Sequence, residues 1–180
     1  MSDPPADPSG IVVWLTGLPS SGKSTLAALL ARRLLDAGRC ACVLDGDEVR
    51  HALVPAPGYT PEARDAFYAT LARLAALLAG QGLVVLVPAT AHREAYRAEA
   101  RRLSPGFLEV LVDVDAAECR RRDAKGLYAA AQEGHATGLP GADLAYEPPA
   151  APDVVAHGGQ DERAATEILA RLAAALSSAP

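Results

Sequence analysis

A chain of 180 residues, half of them hydrophobic, has the size of one globular domain with its own core and leaves no room for a second. A formal charge of -5 at pH 7 and the lack of any dense Lys/Arg run exclude the electrostatic footprint of a nucleic-acid binder, so any anion must be met by a local basic site. No apolar run approaches the roughly 20 residues that span a bilayer, and the opening "MSDPPADPSG" is too polar for a signal peptide or membrane anchor, which predicts a cytoplasmic protein with residues 1–10 as a flexible tail.

The first element, "IVVWLT" (11–16), is a β-branched apolar run that predicts a buried strand. It leads into "TGLPSSGKST" (16–25), where Gly17, Gly22, Lys23 and Ser24 fit G-x-x-x-x-G-K-[ST] and Ser20, Ser21 and Thr25 complete the loop. Glycine lets the backbone curl until several N–H groups point into one concavity, and the helix that follows offers its positive end to a phosphate. Lys23 would reach the outer phosphates of ATP, and Ser24 would supply a hydroxyl to Mg²⁺. Leucines at 26, 29, 30, 34 and 35 give the following segment helical spacing, closed by Gly38 and Arg39, so the motif has the strand–loop–helix context it needs.

A second strand, "CACVLD" (40–45), ends in "LDGDEVR" (44–50). Carboxylates at the carboxyl end of a parallel strand sit in the crevice where ligands bind. Asp45 or Asp47 could then position Mg²⁺-bound water or take the proton of an attacking hydroxyl; the competing reading is a charged turn that caps a helix, which Asp47 fits. A long helix (61–80), a strand (83–89), a helix in "REAYRAEARRL" and a strand (107–114) follow, then a helix begun by "AAECRRRD", a short strand (153–157) and a helix (161–176) with Asp161 as its N-cap. Strands alternating with helices predict an α/β fold, a parallel sheet flanked by helices on both faces. Residues 134–152, rich in proline and glycine, are too long for an ordinary connection and predict a lid or binding loop. Phe67 completes an i, i+4, i+7, i+11 stripe with Leu71, Leu74 and Leu78, which favours the core. Cys40, Cys42 and Cys119 have neither zinc nor disulfide spacing and read as small buried apolar residues.

Taken together, "VVWLTGLPSSGKST", "LDGDEVR", "GYTPEAR", "RDAKGLYAAA" and "GADLAYEPPAAPD" occur in the order and spacing of adenylyl-sulfate kinases, and the resemblance runs from about residue 11 to residue 177. It implies a P-loop kinase over 11–180 with a lid at about 120–150, using ATP and Mg²⁺ to phosphorylate a small-molecule acceptor, the 3′-hydroxyl of adenylyl sulfate, in sulfate assimilation. It further implies a homodimer. Gly17 to Thr25 match the family's ATP-phosphate loop, and Asp45 and Asp47 match its catalytic and Mg²⁺-associated aspartates, with Ser24 beside them. Arg50 and Arg64 match arginines that hold the acceptor's phosphosulfate region, and Arg97 and Arg101 also fall on family arginines. Tyr59 takes the place of an aromatic that stacks on the acceptor adenine. Arg122 and Asp123 match the lid motif, and Lys125 matches a lysine near the transferring phosphate.

The departures from the family cluster on the acceptor side. Phe67 stands where the family has asparagine, and "PATAH" (88–92) replaces "SFISP", so Ala91 takes the place of a serine that some members phosphorylate and Ala89 that of a phenylalanine, with Thr90 between them. "TGLPG" (137–141) replaces "KGFTG", which turns a lysine into Thr137 and a second stacking phenylalanine into Leu139. The acceptor set is therefore Arg50, Tyr59, Arg64, Phe67, Thr90, Lys125 and Leu139. Two alternatives stay open: a kinase of the same type acting on another nucleotide-like or specialised-metabolite hydroxyl, and a nucleotide-dependent switch or binding module.

Overall fold

The apolar runs form five parallel strands, β1 (Ile11–Thr16), β2 (Ala41–Val43), β3 (Val84–Pro88), β4 (Phe107–Val112) and β5 (Val154–Ala156), in the spatial order β2-β3-β1-β4-β5. A computed structural model describes residues 10–123, 126–133 and 137–177. Its helices are α1 (Lys23–Asp36), α2 (Gly46–Ala52), α3 (Pro61–Ala79), α4 (Glu94–Leu103), α5 (Ala116–Arg122), α6 (Leu127–Gln132) and α7 (Glu162–Ser177). Among the described residues no helix is long and apolar enough to cross a membrane.

Side chains of a strand point alternately to the two faces of a sheet, and β1 uses both. Val13 and Leu15 pack with Leu26, Leu30 and Leu34 of α1 and with Ile168 and Leu172 of α7. Val12 and Trp14 pack on the other face with Phe67, Leu71 and Ala75 of α3 and Ala100 of α4. Complete burial of each such leucine contributes about 1.5–3 kcal/mol, which is what holds the sheet between two helical layers.

The observed elements depart from expectation at particular places. The second strand stops at Val43 because Asp45 leaves it to cap α2, its Oδ1 accepting the Asp47 N–H at 2.9 Å; the capping carboxylate is Asp45 rather than Asp47. The fourth strand ends at Val112 rather than 114, although Asp113 N still donates to Ala156 O at 2.7 Å. The expected cap of the last helix is present, Asp161 Oδ1 accepting the Ala164 N–H at 2.9 Å. Helix α6 carries no expectation from the sequence and α2 only the capping turn, both being too short to display a helical period. Of the three cysteines only Cys119 is buried; Cys40 is exposed and Cys42 half-buried because β2 is the edge of the sheet.

Arg97 and Arg101 do not reach the site. Arg97, 1% exposed, donates to Glu109 Oε1 at 2.7 Å, Ala91 O at 2.6 Å and Glu147 O at 2.7 Å, while Arg101 pairs with Glu109 and Asp153. Removing one partner of a buried pair strands the other charge. Arg97→Ala is therefore expected to destabilise the fold by about 3–5 kcal/mol in chemical denaturation.

Candidate active site

The carboxyl ends of the parallel strands open into one cavity of about 1420 Å³. One wall is the phosphate loop. Gly22 caps α1 with φ 104°, a left-handed backbone open to glycine, and a Cβ there would lie 2.6 Å from Gly159 N. With no capping side chain and no acidic residue in its first turn, α1 presents its positive end to an anion. Lys23 Nζ donates to Gly17 O at 3.0 Å and Leu18 O at 2.7 Å, and Ser24 Oγ donates to Asp45 Oδ2 at 2.5 Å.

The opposite wall is built from α2, α3 and the segment after residue 136. The Arg50 guanidinium lies 3.8 Å from the Phe67 ring centroid and 4.6 Å from that of Tyr59, and its Nη1 donates to Pro57 O and Gly58 O. Arg64 Nε donates to Tyr59 O at 2.8 Å, and its Nη2 donates to Gly138 O at 2.7 Å, which ties α3 to the predicted lid. Asp143 folds the same segment by accepting the Gly138 and Leu139 N–H groups at 2.6 Å each. Those two bonds hold its carboxyl below the usual carboxylate range. Arg120 adds a bond to Gly141 O at 3.3 Å, and Tyr128 of α6 donates to Pro19 O of the phosphate loop at 3.3 Å.

Most of the residues expected at the site therefore meet. Ser20, Gly22, Lys23, Ser24 and Thr25 line the cavity on the loop side, with Asp45, Asp47 and Arg122. Arg50, Tyr59, Arg64, Phe67, Thr90 and Leu139 line it on the far side. Gly17 and Ser21 do not face it: a Cβ on Gly17 would meet Val112 O at 2.5 Å, so it shapes the loop from behind, and Ser21 is fully buried. Lys125 lies outside the described residues. Phe67 belongs to the core, as its stripe predicts, being 3% exposed within the core cluster, and it also forms part of the cavity wall.

No group of three or more His, Cys, Asp or Glu suited to a metal occurs among the described residues. The paired oxygens of Ser24 and Asp45 nevertheless fit Mg²⁺, a hard cation that takes one or two protein oxygens and fills its remaining positions with water and substrate phosphate.

A family model described as Adenylylsulphate kinase matches residues 9–157. The chain belongs to the adenylylsulphate kinase family. The probable adenylyl-sulfate kinase of Synechocystis is 42% identical to it over 81% of this chain and 82% of that protein. The bifunctional enzyme CysN/CysC of Mycobacterium tuberculosis is 43% identical over 82% of this chain, which spans 25% of that longer protein. Among solved structures, the Mycobacterium tuberculosis APS kinase CysC in complex with AMPPNP and APS superposes with a TM-score of 0.86 at 40% identity, covering 92% of this chain and 99% of that one.

Two parts of this adenylylsulphate kinase site were not anticipated from the sequence. Gly158 and Gly159, between β5 and α7, pack onto the phosphate loop; a Cβ on Gly159 would lie 2.5 Å from Thr25 Cβ and 2.8 Å from Gly22 O. The doubled glycine just before the N-cap Asp161 was the available signal. Gly159→Ala is expected to cost about 1–3 kcal/mol of stability through overpacking and to raise the KM for ATP, as read by thermal denaturation and steady-state kinetics. The other part is Tyr68, which lines the cavity one residue after Phe67. Ala91, which the resemblance sets in place of a family serine, is fully buried and carries no hydroxyl.

Proposed function

We propose that the protein transfers the γ-phosphoryl group of ATP to the 3′-hydroxyl of adenylyl sulfate, giving 3′-phosphoadenylyl sulfate and ADP. The observation that carries this reading is the single cavity that joins a phosphate loop to an arginine and aromatic wall. Backbone N–H groups of the loop and the positive end of α1 hold the phosphates, and Lys23 neutralises charge on the moving phosphoryl group. Ser24 and Asp45 would hold Mg²⁺, which would supply further charge neutralisation for the transferring phosphoryl group. Asp45 and Asp47 stand at the acceptor hydroxyl, where a carboxylate takes the proton as the oxygen attacks phosphorus and the bond to ADP breaks.

On the acceptor side Arg50 and Arg64 meet the anionic phosphosulfate, a task suited to planar forks of donors. Tyr59, 59% exposed at the rim, is free to stack on the adenine, with Phe67, Leu139 and Thr90 shaping the pocket. The segment at about 120–150 acts as the lid of a single kinase domain, with Arg122 on the ATP side and Lys125 in the role that the resemblance implies. Closure excludes water and favours transfer over hydrolysis. A cytoplasmic location belongs to the same reading.

The test is ADP release with ATP and Mg²⁺, with and without adenylyl sulfate. Release that depends on the acceptor supports the reading, and release that ignores it would point to a hydrolase or switch. The apolar side chains of Phe67 and Leu139 favour, as the second reading, a related nucleotide acceptor. A KM for AMP below that for adenylyl sulfate would select it.

A further inference from the structure

Tyr68 is built into the cavity wall with care for one atom. Its ring stacks on Tyr96 at 4.5 Å between centroids and meets Phe67 edge-on at 5.3 Å, and its hydroxyl accepts the Ala91 N–H at 3.0 Å. Ala91 is itself pinned: with φ 41° it sits in the left-handed region, its carbonyl accepts from Arg97 Nη1 at 2.6 Å, and the preceding Thr90 carbonyl accepts from Thr16 Oγ1 at 2.6 Å. The oxygen of Tyr68 is thereby fixed in place by the end of β3.

A phenol both donates and accepts, and here only the acceptor half is used. Among the described residues no acceptor is found for the Tyr68 proton, and the residue, 7% exposed, lines the cavity. Arg50, Arg64 and Asp47 are charged groups that line the same cavity as Tyr68, with His92 and Tyr96 packed against its ring. Burial raises its pKa, so the proton stays on at neutral pH. A neutral donor on a cavity wall shared with the Arg50 and Arg64 guanidinium groups makes a place for an anionic oxygen. Phenylalanine would serve at every ring contact; the hydroxyl satisfies the Ala91 N–H and keeps its own proton to donate.

We infer that Tyr68 is a specificity-determining residue, its O–H donating a hydrogen bond to an anionic oxygen of the acceptor. This rests on the site being the acceptor pocket of the kinase proposed above. An acceptor without that oxygen would leave a buried donor unpaired, which is how polar sites reject close analogues.

In the full-length enzyme, Tyr68→Phe is expected to raise the KM for adenylyl sulfate about tenfold or more, as for a lost hydrogen bond to a charged group, while the KM for ATP stays within about twofold. Tyr96→Phe, which keeps the ring stack and loses only the bond to Asp65, is expected to leave both values unchanged. Because Tyr68→Phe also deprives Ala91 of its partner, a second enzyme carries 3,5-difluorotyrosine at position 68, which ionises at lower pH yet still accepts from Ala91 as the phenolate. Its KM for adenylyl sulfate is expected to rise as pH passes through the ionisation of the fluorinated phenol, with the KM for ATP flat. An acceptor KM unchanged in Tyr68→Phe, or flat with pH in the fluorinated enzyme, would overturn the assignment. Failure of the wild-type enzyme to use adenylyl sulfate would overturn the functional reading itself and the assignment with it.

Discussion

Asp45→Asn is expected to lower kcat by about 10²- to 10⁴-fold, the range for loss of a positioned acid–base group, with a much smaller change in the KM for ATP. The substitution separates the two tasks of this side chain. Oδ1 accepts the Asp47 N–H and caps α2, and an asparagine oxygen can do the same. Oδ2 accepts the Ser24 hydroxyl at 2.5 Å, and an amide nitrogen there can only donate, so the charge and the oxygen ligand are both lost. Stability should therefore hold within about 1 kcal/mol, whereas Asp45→Ala would add the loss of the cap, about 0.5–2 kcal/mol. Steady-state kinetics beside thermal denaturation reads the two effects apart. Full activity in Asp45→Asn would leave Asp45 with the capping role alone.

Lys23→Ala is expected to reduce kcat by about 10²- to 10³-fold, as when a donor aimed at developing charge is removed. Lys23 is only 9% exposed, and its ammonium is folded onto the Gly17 and Leu18 carbonyls, which hold it at the mouth of the loop. Those two bonds make it part of the loop's structure as well, so a loss of roughly 1–3 kcal/mol in stability is expected alongside. Lys23→Arg should not restore the rate, because a planar guanidinium does not replace a compact ammonium in so tight a turn. Nucleotide titration of the Lys23→Ala enzyme, compared with its kcat, distinguishes lost binding from lost transition-state stabilisation.

The phosphate loop was legible in the sequence because its chemistry requires neighbouring residues: glycines for the curl, a lysine, a hydroxyl and a helix start within ten positions. Its strand and helix were legible because β1 is apolar throughout and α1 repeats leucine at helical spacing. Asp45 is legible at the end of a strand, but the competing reading of a capping turn falls on Asp47 because the short α2 has no period to mark its start. Gly159 and Tyr68 escaped for another reason. Gly159 matters only through contact with Gly22 and Thr25, far away in the chain, and Tyr68 only because β3 brings Ala91 to its hydroxyl. Arg97 shows the converse: it falls on a family arginine, while Glu109 on β4 draws its guanidinium into a buried pair away from the cavity.

The position of the transferred phosphate tests the account most directly. With ATP labelled in its γ-phosphate, Mg²⁺ and adenylyl sulfate, the account predicts one labelled product with a phosphomonoester on the 3′-oxygen, formed in step with ADP. Label appearing as inorganic phosphate, or no label transfer despite normal ATP binding, would contradict it.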